Sequence, residues 1–318
     1  MRASSLALTL ALLVGSTAAA TEPLPPGIRT VDAGGALQAQ TDGARCPSPN
    51  RLLAVVVHGI NPVHGDLDAL CLDLSQRDYK VLRFVYDDSA PLAESARGMR
   101  YALATLQRVS QPSRLAVVAH SMGGLVSRRA LGGDDLTPPQ RTRLRRTYRG
   151  KGRWRTRRVP TGPAPTPLPP LRGRITFLSV ASPFGGFRSA NWSRLDFGLG
   201  RPVFRDLGTR ASFIRKPGRL AIGVTHFKVE TDEEGHQRHD GKSDHGVPLK
   251  NQAQRDVDAA AREVLRLDLG HVGSIRDLDE EVPADLQVIL TRVLGGRKKA
   301  AGSRAAAGLV RPLQGLAR

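Results

Sequence analysis

One serine of the sequence stands where its hydroxyl could act as a nucleophile. Ser121 follows the apolar run 115–119 and precedes a segment with helical spacing at 125–131. Its neighbours at two positions before and after, Ala119 and Gly123, are small, as a crowded strand-to-helix turn requires. A serine hydroxyl needs a positioned base and a third group that orients the base. The pattern favours such a nucleophile over an ordinary Ser-Gly-Gly turn of another βα unit.

The elements around Ser121 must bring that base and that orienting group to it. Apolar runs and helical spacing predict strands at 51–57, 80–86, 115–119, 174–180, 220–230 and 264–269, and helices at 66–79, 89–109 and 283–294. Asp66 is the expected cap of the first helix, and Ser89 or Ser95 that of the second. The alternation predicts an α/β fold with a doubly wound, mostly parallel sheet, whose reactive residues collect at the carboxyl ends of the strands.

The base and the acid are expected downstream of the serine, with the acid before the histidine. Only His271 follows the last predicted strand, which leaves it in a loop over the carboxyl edge of the sheet. The acids at a plausible strand end are Asp232, Glu233, Glu234, Asp240 and Asp244. Residue pattern alone does not choose among these acids.

The positive charge of the chain is concentrated in two segments. The 318 residues carry a net charge of +19, with ten Lys/Arg in 141–158, six in 295–318 and no acid in either segment, so 19 − 10 − 6 leaves +3 elsewhere. The first segment lies in a Pro-rich insertion, 132–173, without apolar periodicity. It could contact anionic lipid headgroups, lipopolysaccharide or nucleic acid phosphates, or be a disordered solvated insertion. No nucleic-acid fold motif accompanies it, so no specific nucleic acid is expected.

The N-terminus predicts export. Residues 1–20 combine Arg2, an apolar stretch and three alanines at 18–20, as in a cleaved secretory signal peptide. No later stretch reaches 18 apolar residues, so a soluble periplasmic or extracellular protein is expected. In an oxidising compartment the only two cysteines, Cys46 and Cys71, suggest one disulfide. Residues 21–50 are interpreted as a surface lead-in, 51–295 as one domain and 296–318 as a basic disordered tail.

Five motifs together resemble one known superfamily. They are His58-Gly59-Ile60-Asn61-Pro62, Ala119-His120-Ser121-Met122-Gly123-Gly124, Ser182-Pro183-Phe184-Gly185-Gly186, Ser243-Asp244-His245-Gly246-Val247-Pro248 and Gly270-His271-Val272. The chain resembles the α/β-hydrolase superfamily, in particular its secreted lipase/esterase branch with PGAP1-like and bacterial triacylglycerol-lipase-like proteins. The resemblance selects Asp244 as the acid, although His245 stands where the family motif has Gly, and leaves Asp240 as the alternative. It also implies that the Ile60 and Met122 backbone N–H groups form the oxyanion hole.

These observations lead to a specific functional hypothesis. The chain is expected to be a monomeric, secreted lipase or carboxylesterase with a Ser121–His271–Asp244 triad and no cofactor. A non-catalytic protein that binds anionic surfaces through its basic segments is one alternative, and an acyltransferase with the same triad is another. The acid- and His-rich stretch 230–245 could hold Ca²⁺ or Zn²⁺, but its spacing matches no strict metal template, so a polar loop without metal is expected.

Overall fold

The computed structural model describes most of the predicted domain. The described residues are 22–38, 44–60, 67–132, 136, 142–148, 154–160, 167–188, 190, 202–232, 247, 249–271, 275 and 281–295, with only the backbone of 142–148 and 154–160. The predicted signal peptide, both candidate acids Asp240 and Asp244, and the predicted C-terminal tail lie outside these residues. Residues 233–245 of the acid- and His-rich stretch also lie outside them. The expectation that this stretch holds no metal therefore stays a prediction.

A seven-stranded sheet forms the centre of the protein. The strands are β1 (Ile28–Thr30), β2 (Leu52–Val57), β3 (Lys80–Phe84), β4 (Arg114–His120), β5 (Thr142–Tyr148), β6 (Trp154–Pro160), β7 (Ile175–Val180), β8 (Val224–Thr231) and β9 (Glu263–Leu267). The large sheet has the order β1-β3-β2-β4-β7-β8-β9, and β1 alone pairs antiparallel with its neighbour. The predicted fold class, an α/β protein with a mostly parallel sheet, is confirmed.

Helices cover both faces of this sheet. They are α1 (Asp68–Gln76), α2 (Leu92–Ser110), α3 (Met122–Leu131), α4 (Pro202–Leu207), α5 (Ser212–Arg215), α6 (Leu249–Gln252), α7 (Arg255–Ala260) and α8 (Ala284–Leu294). Successive residues of a strand point to opposite faces. Along β2, Val55 and Val57 pack with apolar residues of α2 and α3, whereas Ala54 and Val56 pack with those of α1 and α8. The strands are therefore buried on both faces, which explains their continuous apolar runs.

The lead-in contributes to the sheet and core. β1 pairs with the outer side of β3 through Ile28 opposite Phe84, and both Ile28 and Cys46 are buried. A short strand flanked by Pro and Gly has too few residues to show a period of two. The interpretation of the whole 21–50 segment as a surface lead-in is therefore wrong for these residues.

The predicted serine cap of α2 is also wrong. Pro91 occupies the N-cap position, and the N–H of Leu92 donates to the Asp206 carboxylate at 2.8 Å. Ser89 instead donates its hydroxyl to Asp87 at 2.6 Å. A carboxylate 114 residues away along the chain thus takes over the cap, which no local pattern can reveal. In α1 the N-cap position is Leu67, and Asp66 lies outside the described residues.

Part of the basic insertion forms an antiparallel β-ribbon. β5 and β6 pair with each other as a separate two-stranded sheet, from Thr142 opposite Pro160 to Tyr148 opposite Trp154. Of the alternatives for 141–158, the disordered insertion is therefore contradicted for the backbone of these two strands.

Helix α8 is fastened to the start of the domain by polar contacts. The buried Arg77 guanidinium pairs with Asp73 at 2.6 Å and also donates to the Thr291 hydroxyl at 2.7 Å. The Tyr79 hydroxyl donates to the Leu294 carbonyl at 3.0 Å. The last helix thereby joins the residues between α1 and β3. Among the described residues, no helix is long and apolar enough to span a bilayer.

The expected disulfide between Cys46 and Cys71 is absent, and both thiols are free and buried. Cys46 packs in the cluster with Val55 and Val57, whereas Cys71 packs in the cluster with Ala54 and Val56. The sheet therefore separates the two side chains, and a disulfide requires Cβ atoms about 3.5–4.5 Å apart.

We expect two free thiols that are protected by the fold. Burial raises the pKa of Cys46, and it raises the pKa of Cys71 to about 12, so little thiolate forms in the native protein. Titration with a thiol reagent should proceed slowly in buffer and find both thiols in denaturant without reductant. A reductant should leave the Tm unchanged. Fewer than two thiols in denaturant would show that the cysteines do pair.

Candidate functional site

Ser121 occupies a strained turn between β4 and α3. Its backbone has φ 53° and ψ −131°, a left-handed φ that is unfavourable for a residue with a side chain. The turn is held by the N–H of Ser121, which donates to the Val180 carbonyl of β7 at 2.9 Å. Ser121 directly follows β4, at the carboxyl edge of the sheet. The residue is only 5% exposed, so its hydroxyl has little contact with water.

The first turn of α3 lies directly against the end of β2. A Cβ atom at Gly123 would stand 2.7 Å from the Val57 carbonyl oxygen and closer still to that of His58. Gly123 is the small residue that the sequence pattern requires two positions after the serine. Because it has no side chain, the backbone at the end of β2 can lie against α3. At Gly124, a Cβ atom would meet the Ser182 side chain at the end of β7.

His271 lies within hydrogen-bond distance of the serine. Its Nε2 is 3.0 Å from the Ser121 Oγ. β9 lies three strand positions from β4, about 14 Å away, and the chain from Leu267 to His271 can span about that distance when extended. The loop after the last strand therefore returns across the sheet edge and brings the two side chains together, as the sequence predicts.

His120 contacts both the backbone and the ring of His271. The His120 Nε2 donates to the backbone carbonyl of His271 at 3.0 Å, and the ring centres are 4.6 Å apart. Burial lowers the pKa of His271 to about 3, and the charge of His120 acts in the same direction. His271 is therefore neutral at physiological pH, which is the protonation state that can accept the serine proton.

The backbone that follows β2 passes over the serine. A Cβ atom at Gly59 would lie 2.8 Å from the Ser121 Cβ, so only glycine allows the loop to approach this closely. His58 and Tyr86 fix the loop. The Tyr86 hydroxyl donates to the His58 carbonyl at 2.9 Å, and their rings stack with centres 4.3 Å apart. The His58 Nδ1 donates to the Gly59 carbonyl at 2.7 Å.

The loop after β2 and the first residue of α3 both adjoin Ser121. Met122 is the first residue of α3, so its N–H has no acceptor within the helix and carries the positive end of the helix dipole. Ile60 continues the loop that crosses Ser121 and packs against the core. Two such N–H groups can stabilise an oxyanion that forms next to the serine.

The structure thus brings together Ser121, His271 and the segments of Ile60 and Met122. His58 and His120 make structural hydrogen bonds, to the Gly59 carbonyl and to the His271 carbonyl respectively. Both candidate acids, Asp244 and Asp240, lie outside the described residues. Another histidine, His226, is fully buried beneath the sheet edge and bonds Ser179 at 2.8 Å, so it is separate from this site.

Sequence reasoning missed Tyr86 as the residue that fixes the loop over the serine. A signal for it exists, because Tyr86 follows a strand at the carboxyl edge of the sheet, where functional residues collect. In the part of the chain that the structure describes, no group of three His, Cys, Asp or Glu side chains could hold a metal ion.

The chain is similar in structure to lipases and esterases at low sequence identity. The mature lipase BlEst2 of Bacillus licheniformis matches with 14% identity and a TM-score of 0.37, over 59% of this chain and 68% of that one. Lipase B of Aspergillus fumigatus matches with 16% identity and a TM-score of 0.43, over 75% and 47%. The phospholipase PlaB of Legionella pneumophila, in complex with thio-NAD, matches with 18% identity and a TM-score of 0.37, over 60% and 40%.

The chain therefore spans less than half of the length of the last two proteins. No protein-family model and no curated protein matches it. With identities below 20% and TM-scores below 0.5, the roles of Ser121 and His271 rest on their own geometry.

The contact between α3 and β2 can be tested with a matched pair of glycine substitutions. Gly123→Ala should destabilise the protein by about 1–3 kcal/mol, because the new methyl group meets two backbone carbonyls. Gly98→Ala, in the exposed part of α2, meets only the Phe84 ring at 3.9 Å and should stabilise the protein by about 0.5–1 kcal/mol. Urea unfolding measures both changes. Equal effects would contradict the crowding at Gly123.

Proposed function

We propose that the protein is a serine hydrolase that cleaves carboxylic esters. The observation that carries this proposal is the 3.0 Å distance between the Ser121 Oγ and the Nε2 of a buried, neutral His271. A strained serine at the start of a helix, beside a histidine from the last strand's loop, is the arrangement of an activated nucleophile. The ester class follows the resemblance to lipases and carboxylesterases.

In the proposed reaction, His271 takes the Ser121 proton as the Oγ attacks the ester carbonyl carbon. The N–H groups of Met122 and Ile60 donate to the oxyanion, and His271 returns its proton to the departing alcohol. Water then attacks the acyl-enzyme by the same route, which releases the acid and restores the serine. No cofactor takes part in these steps.

Asp244 is the proposed third member, with Asp240 as the alternative. A carboxylate beside the His271 ring would orient it and stabilise its protonated form during the reaction. It would also raise the His271 pKa, against the effects of burial and His120. The acid assignment rests on the Ser-Asp motif at 243–244.

A fluorophosphonate probe tests the nucleophile. The wild-type protein should be labelled covalently at Ser121, and Ser121→Ala should not be labelled. Ser127→Ala is the matched control, because Ser127 is a buried serine of the same helix whose hydroxyl contacts the Met99 sulfur at 3.6 Å. It should be labelled like the wild type. A folded wild-type protein that resists labelling, or an Ser121→Ala variant labelled equally, would contradict the proposal.

The rate of labelling tests the base, and the rate of ester hydrolysis separates the two candidate acids. His271→Ala should slow labelling by about 100- to 10,000-fold, because no base removes the serine proton. Asp244→Asn should slow ester hydrolysis by about 10⁴-fold, while Asp240→Asn stays near wild type. The reverse order for the two Asn variants would assign Asp240. Transfer of the acyl group to an added alcohol in preference to water would identify an acyltransferase.

We also propose that the β-ribbon attaches the protein to anionic membrane surfaces. Alternation along the paired strands assigns Arg143, Arg145, Arg155 and Arg157 to one face, and Arg145 stands directly opposite Arg157. Like charges in directly opposed positions destabilise a ribbon, so this face favours an anionic partner.

The end of the ribbon favours a membrane as that partner. Tyr148 and Trp154 are opposed at the last pair before the turn, on the face that alternation also assigns to Arg146 and Arg158, and these two residue types concentrate at membrane–water interfaces. Export, which residues 1–20 predict, would bring the ribbon to the surface of the cell envelope. A single chain carries all the proposed parts, so we keep the monomer as the proposed form.

Binding to vesicles tests the ribbon. Replacing Arg143, Arg145, Arg155 and Arg157 by Gln should weaken binding to vesicles with phosphatidylglycerol by about 1000-fold, at about 1 kcal/mol per basic residue. Deleting 141–158 should abolish binding and leave hydrolysis of short-chain p-nitrophenyl esters intact.

Deletion of 296–318, which removes six basic residues where deletion of 141–158 removes ten, is the control and should bind like the wild type. Unchanged binding after loss of 141–158 would overturn the membrane role. Binding to a DNA duplex but not to the vesicles would assign a nucleic acid instead.

A further inference from the structure

The Pro-rich insertion leaves the domain at the far end of the helix that follows the nucleophile. Helix α3 begins directly after Ser121 and ends at Leu131, so its 10 residues carry the chain about 15 Å from the serine. There the N–H of Ala221 donates to the Leu131 carbonyl at 2.9 Å, and Gly132 pairs with Leu220. Leu220 and Ala221 lead into the turn that starts β8. The insertion thus begins at the amino edge of the sheet, where the parallel strands start.

Helix α2 holds the other end of the insertion at the same edge. The Arg100 guanidinium donates to the Gly132 carbonyl at 2.7 Å and to the Pro169 carbonyl at 2.9 Å, so one side chain joins the two ends. Gln107, in the last turn of α2, accepts from the N–H of Arg172 at 2.9 Å. Strand β7 begins three residues later. The base of the insertion is therefore fixed on the side of the domain away from the nucleophile.

The amino edge itself carries a row of positive charges. Five of the parallel strands start at, or directly after, an exposed Lys or Arg: Lys80 at β3, Arg51 at β2, Arg114 at β4, Arg174 at β7 and Arg262 at β9. These strands and β8 are neighbours in the sheet. Because adjacent strands lie about 4.8 Å apart, this basic row extends over about 24 Å.

Little in the described part of the chain compensates the basic row. Arg114 donates to the Leu294 carbonyl, and the other four cations make no ion pair with a described residue. The acids nearest to the row along the chain are Asp78 and Glu263, and Glu263 is already paired with Arg292 at 2.7 Å. The row is thus a surface that attracts an anionic partner.

An apolar side chain lies among these cations. Ile222 belongs to the turn before β8, between the strands that follow Arg174 and Arg262, and it is 100% exposed. A Cβ atom at Gly223 would meet the Gly173 carbonyl, so this turn also lies beside the end of the insertion. Basic residues around an exposed apolar side chain fit the surface of a bilayer with anionic lipids.

We propose that the protein binds an anionic membrane with the amino edge of its sheet facing the lipid and its active site facing away. This inference rests on the ester hydrolysis and the membrane attachment proposed above. The basic row has five cations where 141–158 has ten, so it orients a protein that the ribbon attaches. Exposed arginines such as Arg188 and Arg205 also lie over the carboxyl edge, but the insertion is not held there.

This orientation defines the class of substrate. The nucleophile is separated from the lipid by at least the length of α3, about 15 Å. A lipid of the bound membrane would have to leave the bilayer before its ester group could reach Ser121. The substrate therefore comes from the aqueous side, and the protein acts as an esterase on water-soluble esters while it is attached to the membrane.

A fluorophore at each edge tests the orientation in the full chain. Cys46 and Cys71 are buried, so the new thiol of Ile222→Cys or of Glu94→Cys can be labelled selectively with the polarity-sensitive dye NBD. Glu94 is exposed in the first turn of α2, on the side of the active site. With phosphatidylglycerol vesicles, the emission should shift to the blue for the label at position 222 and stay unchanged for the label at position 94. A bound protein with the opposite pattern would overturn the proposal.

A matched pair of double variants tests the basic row. Arg51→Gln with Arg174→Gln should weaken binding to these vesicles by about 10- to 30-fold. Arg188→Gln with Arg205→Gln removes the same charge at the opposite edge and should bind like the wild type. Equal losses for the two variants would overturn the orientation.

Hydrolysis by the bound protein tests the substrate class. Saturating vesicles should leave kcat/KM for p-nitrophenyl acetate unchanged and should release no fatty acid from the phosphatidylglycerol. Activation by the vesicles, or fatty acid released by the wild type and not by Ser121→Ala, would overturn the proposal. A protein that reacts with fluorophosphonate but binds no vesicles would overturn both this inference and the membrane attachment, and would leave the serine hydrolase in place.

Discussion

The strained backbone of Ser121 is the constraint on which the rest of the site depends. A left-handed residue at the end of β4 turns the chain so sharply that α3 starts against the end of β2. This contact requires glycine at position 123, and the loop that crosses Ser121 requires glycine at position 59. Strain at one residue is thus maintained by packing from two neighbouring segments, the loop that contains Gly59 and the first turn of α3.

The central part of the fold and half of the site could be predicted from the sequence. Buried parallel strands appear as continuous apolar runs, and topology then leaves His271 as the histidine that follows the last strand. The failures share a physical cause. The cap of α2 is Asp206, and the partner of β1 is β3, so both depend on residues distant in the chain.

The two cysteines illustrate the same limit. Their positions along the chain are compatible with a disulfide, but pairing depends on which face of the sheet each segment covers. Helix α1 lies on one face, and the residues before β2 return to the other. Spacing in the sequence contains no information on this choice, which is fixed only when the whole sheet is assembled.

The attachment of α8 has a consequence for the order in which the chain can fold. One face of the sheet is covered by α1, near the N-terminus, and by α8, whose last contacts to Tyr79 and Arg77 come from residues 287–294. This half of the core cannot close until residues 287–294 have been synthesised. Helix α8 is therefore a late addition to a face of the sheet whose other helix, α1, is made more than 200 residues earlier.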